Sequence, residues 1–197
     1  MATAIGVTGR LSARATVALL LAGLSAAALA RAALNGHTSA TAFAAGAGFG
    51  IALLLVAWLA GWRPAWPCLR SLLIGVAGGL VVIAIPRVVH PLLPSAIGMR
   101  PEPFAAWVVV TAVVVLGEEA ILRGVLFDAV ESAAGALPAV LVTSLAFALI
   151  HVPLYGWQVV PLDIGVGVWF GGLRLASGGA GAPTVAHLLA DLSTWWL

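Results

Sequence analysis

Charged side chains are scarce in this sequence. They make up 8% of its 197 residues, whereas soluble domains carry about a quarter. Lysine is absent, so every basic residue is an arginine, and the formal net charge is only +2. With 62% hydrophobic residues, the composition excludes a soluble domain and offers no basic surface for nucleic acid. It predicts an all-α fold, a polytopic membrane helix bundle.

Cysteine and acidic residues are also limited. The single cysteine, Cys68, excludes an internal disulfide and a CxxC metal or redox motif. All seven acidic residues fall at or after Glu102, and seven of the nine arginines fall at or before Arg100. This asymmetry predicts anchoring helices and a proline-rich loop in residues 1–103. It places the polar chemistry in residues 104–197 of one continuous membrane domain.

Apolar runs of about 20 residues, the length that crosses the hydrocarbon core, predict about seven transmembrane helices. They are expected at about residues 15–34, 41–61, 69–89, 104–134, 138–152, 158–176 and 182–197. The first run also resembles a cleavable signal peptide, but the apolar spans that continue after it favour a retained helix. Five prolines predict a loop over residues 86–103. His37 and His90 are expected in loops that face interfacial water.

The fourth predicted span contains Glu118, Glu119 and Arg123. A charged side chain near the bilayer centre costs about 2.5 to 3.5 kcal/mol, so these residues mark a functional site. Glu119 and Arg123 are spaced i,i+4 and can form an ion pair, whereas Glu118 lies on another face without a partner on its own helix. The span exceeds a straight crossing, so it is expected to tilt strongly or to project from the membrane, with Asp128 and Glu131 at the emerging end.

Two later helices carry further i,i+4 pairs, Phe147 with His151 and His187 with Asp191. Glu118, His151, His187 and Asp191 could therefore converge from three helices on one pocket, and carboxylates with imidazoles are the groups that activate water. Structural alternatives stay open, since a buried histidine can simply be hydrogen-bonded and Glu119 with Arg123 can be a structural ion pair. Convergence also requires the sixth helix to be short, tilted or broken, which its glycines allow.

The three motifs resemble those of the CPBP family of intramembrane proteases, named for CAAX proteases and bacteriocin-processing enzymes and also called the Abi family. The chain is similar to its type II CAAX prenyl endopeptidases over about residues 104–197. The resemblance implies a glutamic-type or metallo-endopeptidase that cleaves a membrane-associated protein or peptide. It implies that Glu118 and His151 activate water, that Glu119 and Arg123 support the site, and that His187 and Asp191 stabilise the oxyanion.

One position departs from the family pattern. Many members have asparagine where this chain has Asp191, and an ionised carboxylate cannot donate a hydrogen bond to an oxyanion. Asp191 is therefore either protonated or serves a cation. His151, His187 and Asp191 would make a zinc site with Glu118 as the base, although the resemblance favours the metal-free route.

Two other functions use the same residues. A transporter could use the carboxylates and histidines as a proton or substrate relay, although no repeated halves are visible. A membrane protein that confers bacteriocin immunity could act by binding alone. The lysine-free, arginine-containing composition predicts a multi-pass protein of a bacterial plasma membrane, whose partners are the lipid bilayer and a membrane-associated substrate.

Overall fold

The computed structural model describes residues 12–36, 38–89 and 103–196 of the chain. Within these ranges the secondary structure is helical, without strands. The first helices are α1 (Ala13–Leu34), α2 (Ser39–Leu59) and α3 (Leu69–Val89). A long run follows, made of α4 (Phe104–Glu119), a π-helical segment (Ala120–Leu126) and α5 (Phe127–Ala134). The last helices are α6 (Ala136–Tyr155), α7 (Val160–Ser177) and α8 (Gly181–Ser193).

The bundle confirms the predicted polytopic membrane fold. Five described segments are long and apolar enough to cross a bilayer: Ala13–Leu34, Ser39–Leu59, Phe104–Ala134, Ala136–Tyr155 and Trp157–Ser177. Leu69–Ile85 is a shorter apolar helix. The final helix, α8, has 13 residues, about 20 Å at 1.5 Å per residue, which is too short for a core of about 30 Å. The expected last span of residues 182–197 is therefore not a full crossing.

One predicted boundary is wrong, and several predicted features lie outside the described residues. Helix α3 continues through Pro86 to Val89, so residues 86–89 are helical and not part of a loop as expected. Transmembrane helices tolerate proline where neighbouring groups satisfy the freed backbone. The remainder of the proline-rich loop, from residue 90 to 102, lies outside the described residues. So do His37, His90 and the first 11 residues of the suggested signal peptide.

The π-helical segment bends the long run between α4 and α5. Gly124 has a non-helical backbone there, with φ −93° and ψ −105°. A Cβ at this position would lie 2.7 Å from Cδ1 of Trp62, so the close approach of the indole also requires glycine. The bend differs from the straight tilted or projecting helix expected from the sequence. Asp128 does lie exposed beyond it, where its Oδ1 pairs with Nη2 of Arg174 at 2.8 Å.

Small residues bring the helices of the site close together. A Cβ added at Gly117 would lie 2.6 Å from the Gly50 carbonyl oxygen. A Cβ added at Gly167 would lie 2.8 Å from the Ser144 Cα. These contacts join α4 to α2 and α7 to α6. Helix α3 packs along α8 in the same way, since a Cβ at Gly75 would lie 2.7 Å from the Ala182 carbonyl oxygen. Membrane helices use such small residues because close backbone approach gives them dispersion contacts.

The outward faces of the helices are apolar. Large exposed side chains include Leu55 and Trp58 on α2 and Leu141, Leu145 and Leu149 on α6. In water such a surface would promote aggregation, but in a bilayer it contacts lipid. The buried side of the bundle contains the charged groups Glu118, Glu119 and Arg123. Polar groups therefore face inward and apolar groups face outward.

Candidate active site

Glu119 and Arg123 form a buried ion pair at the centre of the bundle. Both side chains are fully buried, and Nη1 of Arg123 donates to Oε1 of Glu119 at 2.9 Å. The same oxygen lies 2.9 Å from Nδ1 of His187 on α8. Nη2 of Arg123 donates to the Gly167 carbonyl on α7 at 3.2 Å. The pair therefore joins α4 and the π-helical segment to α7 and α8.

Two phenylalanine rings enclose this polar centre. The Arg123 guanidinium lies 4.9 Å from the centroid of the Phe147 ring and 5.3 Å from that of Phe170. The Phe147 ring also meets the rings of His151 and His187 at 4.7 and 5.4 Å, in edge-to-face geometry. Aromatic faces stabilise a desolvated cation and fix neighbouring rings. Phe147, predicted to share a face with His151, thus packs against both histidines.

Glu118 has different surroundings from its neighbour. It is 1% exposed, and its carboxylate faces three basic groups at distances beyond a hydrogen bond. Oε1 lies 4.0 Å from Nε2 of His151 and 3.9 Å from Nη1 of Arg31, while Oε2 lies 3.8 Å from Nε2 of His187. Within the described residues, Oε1 accepts no hydrogen bond. Separations of about 4 Å between polar groups suit a bridging water or substrate atom.

His151 has a carboxylate at its other nitrogen. Its Nδ1 lies 3.1 Å from Oδ2 of Asp163, near the start of α7. The two side chains are 15% and 18% exposed, so this pair borders the accessible side of the site. Asp163 was not among the predicted site residues. An acidic residue within an apolar span is as costly as Glu118, and that cost is the signal that identifies it.

His187 and Asp191 share a face of α8, as their spacing predicts. Nε2 of His187 lies 3.6 Å from Oδ2 of Asp191, whose side chain is 43% exposed. The structure therefore brings Glu118, His151, His187 and Asp191 around one space. The sixth predicted span, at about residues 158–176, corresponds to α7. It is not broken, because α7 is an uninterrupted α-helix of 18 residues. Its glycines at 167 and 171 instead allow close packing on α6.

Arg31 is a second charged residue missed from the sequence. It lies in the last turn of α1, a position where arginine is usually an interfacial anchor. Leu20, Leu24 and Ala28 are buried at intervals of four residues on α1, and Arg31 follows Ala28 by three. This spacing continues the buried face. The periodicity of α1 is therefore the signal that directs Arg31 inward.

Two neighbouring cavities border the site. One, of about 260 Å³, is lined by His151, Asp163, His187 and Asp191 together with the Phe147 and Phe170 rings. The other, of about 370 Å³, is lined by Arg31, Asn35, Trp107 and Thr111 among others. Tyr155, Asp191 and Thr194 line both cavities. Glu118 lines neither, but the basic groups that face it do: His151 and His187 line the smaller cavity and Arg31 the larger one.

The zinc site considered from the sequence does not fit this arrangement. In the described parts of the chain, no group of three or more His, Cys, Asp or Glu side chains is placed to hold a metal ion. The Nδ1 nitrogens of His151 and His187 face Asp163 and Glu119, so the Nε2 nitrogens are the ring atoms that face the shared space. As placed, His151, His187 and Asp191 would have to move before they could share an ion.

Residues 100–193 match the family model described as Type II CAAX prenyl endopeptidase Rce1-like. This segment, just under half of the chain, is similar to the Rce1-like family. The match includes every predicted site residue from Glu118 to Asp191, and it confirms the resemblance found in the three motifs. The similarity supports an intramembrane CAAX-type endopeptidase activity in general. Comparisons with curated proteins and with solved structures gave no match. Arg31 lies outside the Rce1-like segment.

Proposed function

We propose that the protein is an intramembrane endopeptidase in which Glu118 is the general base that activates a water molecule. The substrate is a membrane-associated protein or peptide whose scissile bond enters beside Glu118. The observation that carries this proposal is the unpaired, buried carboxylate with His151, His187 and Arg31 at 3.8 to 4.0 Å. Groups held at that distance can each form a hydrogen bond to one oxygen atom that enters between them.

The water is held between Glu118 and His151. Two hydrogen bonds of about 2.8 Å that meet at one water oxygen span about 4 to 4.5 Å, which matches the 4.0 Å between Oε1 and Nε2. Oδ2 of Asp163 lies 3.1 Å from Nδ1 of His151, and we propose that this charge keeps Nε2 turned toward Glu118. Glu118 takes one proton from the water as its oxygen bonds to the carbonyl carbon, and the carbonyl oxygen becomes an oxyanion.

The remaining groups serve the oxyanion and the leaving amine. Glu119 holds His187 through Nδ1, so that Nε2 faces the reacting atoms. Asp191 contacts the same Nε2 at 3.6 Å, and we propose that it positions the His187 ring. An ionised carboxylate cannot itself donate to an oxyanion. When the tetrahedral intermediate collapses, the C–N bond breaks and the proton taken from water passes to the departing nitrogen. The products are a carboxylic acid and an amine, and the acid then loses its proton to the amine or to water.

We favour the metal-free, glutamic-type route over a metallopeptidase. The ground is the placement of the side chains, because no three His, Cys, Asp or Glu side chains in the described ranges are placed to hold one ion together. We further propose that residues 104–197 form the catalytic core and that the protein resides in a bacterial plasma membrane. The family description concerns CAAX prenyl endopeptidases, so a prenylated C-terminal peptide is one substrate to test beside an unmodified one.

The experiment uses the full chain purified into liposomes with quenched fluorescent peptides, prenylated or unmodified, that end in a CAAX sequence. We expect the wild type to cleave one of them and Glu118→Gln to lower kcat by about 10²- to 10⁴-fold, the range for loss of a general base. Glu131→Gln is the matched control, because Glu131 is exposed on α5. Full activity of Glu118→Gln would overturn the proposal. Glu118-dependent ion flux without any cleavage would favour the transporter instead.

A further inference from the structure

Arg31 reaches the site from the N-terminal half of the chain. Its Nη1 lies 3.9 Å from Oε1 of Glu118, and its guanidinium lies over the Phe49 ring at 4.9 Å from the centroid. The side chain is 18% exposed. Among the described residues, none accepts a hydrogen bond from it. Its N–H donors therefore remain available to a ligand beside Glu118.

Hydrolysis at this site requires hydrogen-bond donors that stabilise the oxyanion. The carbonyl oxygen gains negative charge when water adds, and donors placed around that oxygen lower the barrier. Glu118, Glu119 and Asp191 are acceptors when ionised. Nη1 and Nη2 of Arg123 are already engaged with Glu119 and the Gly167 carbonyl. Because Nδ1 of His187 faces Glu119, its Nε2 donates a hydrogen bond only when the ring is protonated. The guanidinium of Arg31, 3.9 Å from Glu118, is a donor in every protonation state of its neighbours.

Arg31 borders a cavity next to the one that the histidines line. Arg31 lines the larger cavity, and Tyr155, Asp191 and Thr194 line both this cavity and the histidine-lined one. In the proposed mechanism, a peptide that occupies both cavities has the Arg31 guanidinium in one of them and the two histidines in the other. Its scissile carbonyl can then point toward Arg31 while the water attacks from the side of Glu118 and His151.

We infer that Arg31 is a further catalytic residue, which donates hydrogen bonds from its guanidinium to the oxyanion of the tetrahedral intermediate. This inference rests on the proposed function. In the step, the water oxygen bonds to the carbonyl carbon, the C=O π electrons move onto oxygen, and Glu118 holds the proton. Arg31 transfers no proton, because guanidinium stays protonated in proteins.

The test compares the affinity for a transition-state mimic with the affinity for a ground-state peptide. A phosphinate peptide carries an anionic tetrahedral centre, and the matching N-methylated peptide represents the uncleaved ground state. We expect Arg31→Gln to weaken phosphinate binding and to lower kcat/KM by similar factors, about 10²- to 10³-fold as for loss of an oxyanion donor. Affinity for the N-methylated peptide should change less than about threefold, because the interaction forms only in the transition state.

Two matched variants accompany this measurement. Arg31→Lys retains the charge but loses the forked donors, so it should keep an intermediate phosphinate affinity even if Arg31→Gln folds poorly. Arg14→Gln changes an exposed arginine on the same helix and should match the wild type in both affinities. Purified variants are first compared with the wild type by circular dichroism and size-exclusion chromatography.

The outcomes separate this inference from the proposed function. Wild-type phosphinate affinity in Arg31→Gln, or equal weakening of the phosphinate and the N-methylated peptide, would overturn the role of Arg31 while Glu118→Gln remains inactive. Full cleavage by Glu118→Gln, or no phosphinate binding by the wild type, would overturn the proposed function and the role of Arg31 with it. The donor role is supported if kcat/KM and phosphinate affinity fall by similar factors while the affinity for the N-methylated peptide is retained.

Discussion

Glu118 and Glu119 are adjacent in the chain, yet only one of them is directly neutralised. Oε1 of Glu119 has both Arg123 and His187 at 2.9 Å, so its charge is balanced in the apolar interior. Glu118 is equally buried but has basic groups only at 3.8 to 4.0 Å. A buried charge requires compensation. This difference assigns support to Glu119 and chemistry to Glu118 in the proposed mechanism.

Asp163 provides the test of histidine orientation. Replacing Asp163 by Asn removes the carboxylate at Nδ1 of His151 and permits the tautomer with a proton on Nε2, which cannot accept a hydrogen bond from the water. We expect kcat to fall by up to about 10⁴-fold, the loss seen when the orienting carboxylate of a serine-protease triad becomes an amide, with KM changed little. Steady-state cleavage in liposomes measures both parameters.

Asp128→Asn is the control for Asp163→Asn. Asp128 is exposed and pairs with Arg174 on the far side of the bend, so its removal should leave kcat within a factor of two or so of the wild type. Wild-type kcat in Asp163→Asn would show that His151 needs no partner at Nδ1.

At the level of helices, the site depends on close contacts and on one irregular turn. The π-helical segment accommodates the fully buried Arg123. The backbone carbonyl of Arg123 accepts a hydrogen bond from Nε of Arg174 at 2.9 Å. Gly167 lets α7 approach α6, so that Asp163 of α7 meets His151 of α6. Irregular backbone at membrane depth is tolerated where the protein itself satisfies its polar groups.

The approach of α7 to α6 gives a prediction at this scale. Gly167→Ala places a Cβ 2.8 Å from the Ser144 Cα, a backbone atom that cannot rotate away. We expect a loss of about 1 to 3 kcal/mol of stability from overpacking, and a lower kcat because Asp163 and His151 separate. Thermal unfolding in detergent and cleavage in liposomes measure the two effects.

Gly172→Ala is the matched control on the same helix. No heavy atom lies within 4 Å of a Cβ added at Gly172, and alanine is the better helix former. The unfolding temperature should therefore be unchanged or slightly higher. Equal behaviour of the two alanine variants would contradict the role of Gly167 in close packing.

Hydropathy predicts the spans well because a helix is the way a single segment satisfies its backbone in lipid. The predicted span 69–89 coincides with α3, and the run expected over 104–134 is continuous from Phe104 to Ala134. The bend at Gly124 is not visible in the sequence, since the apolar composition continues across it. The early end of α8 is hidden likewise, because Trp195 and Trp196 prolong the apolar pattern beyond Ser193.

The chemistry was less completely predictable than the spans. Spacing along a helix identifies partners on that helix, such as Arg123 for Glu119 and Asp191 for His187. Partners from distant helices depend on packing that spacing does not encode, and Asp163 and Arg31 are of this kind. The available signal for Asp163 was the cost of burying an acidic residue within an apolar helix. For Arg31 it was the periodicity of the buried face of α1, which shows the face but not the partner.

Across the whole molecule, the candidate site draws on both halves of the chain. The Rce1-like match spans residues 100–193, but Arg31 of α1 and Phe49 of α2 lie before it and contact each other at the site. Helix α1 also packs against α5 and α6. In the proposed mechanism, residues 1–103 therefore do more than anchor the core in the membrane.

The central claim is direct attack by a water molecule that Glu118 activates. It is tested by a single turnover in heavy-oxygen water, with excess wild-type enzyme in liposomes and mass spectrometry of the cleaved peptide. Direct attack predicts one heavy oxygen in the new carboxylate from the first turnover, and no heavy oxygen in the enzyme. An unlabelled first product with label in Glu118, which would mean attack by the carboxylate itself, would contradict the claim.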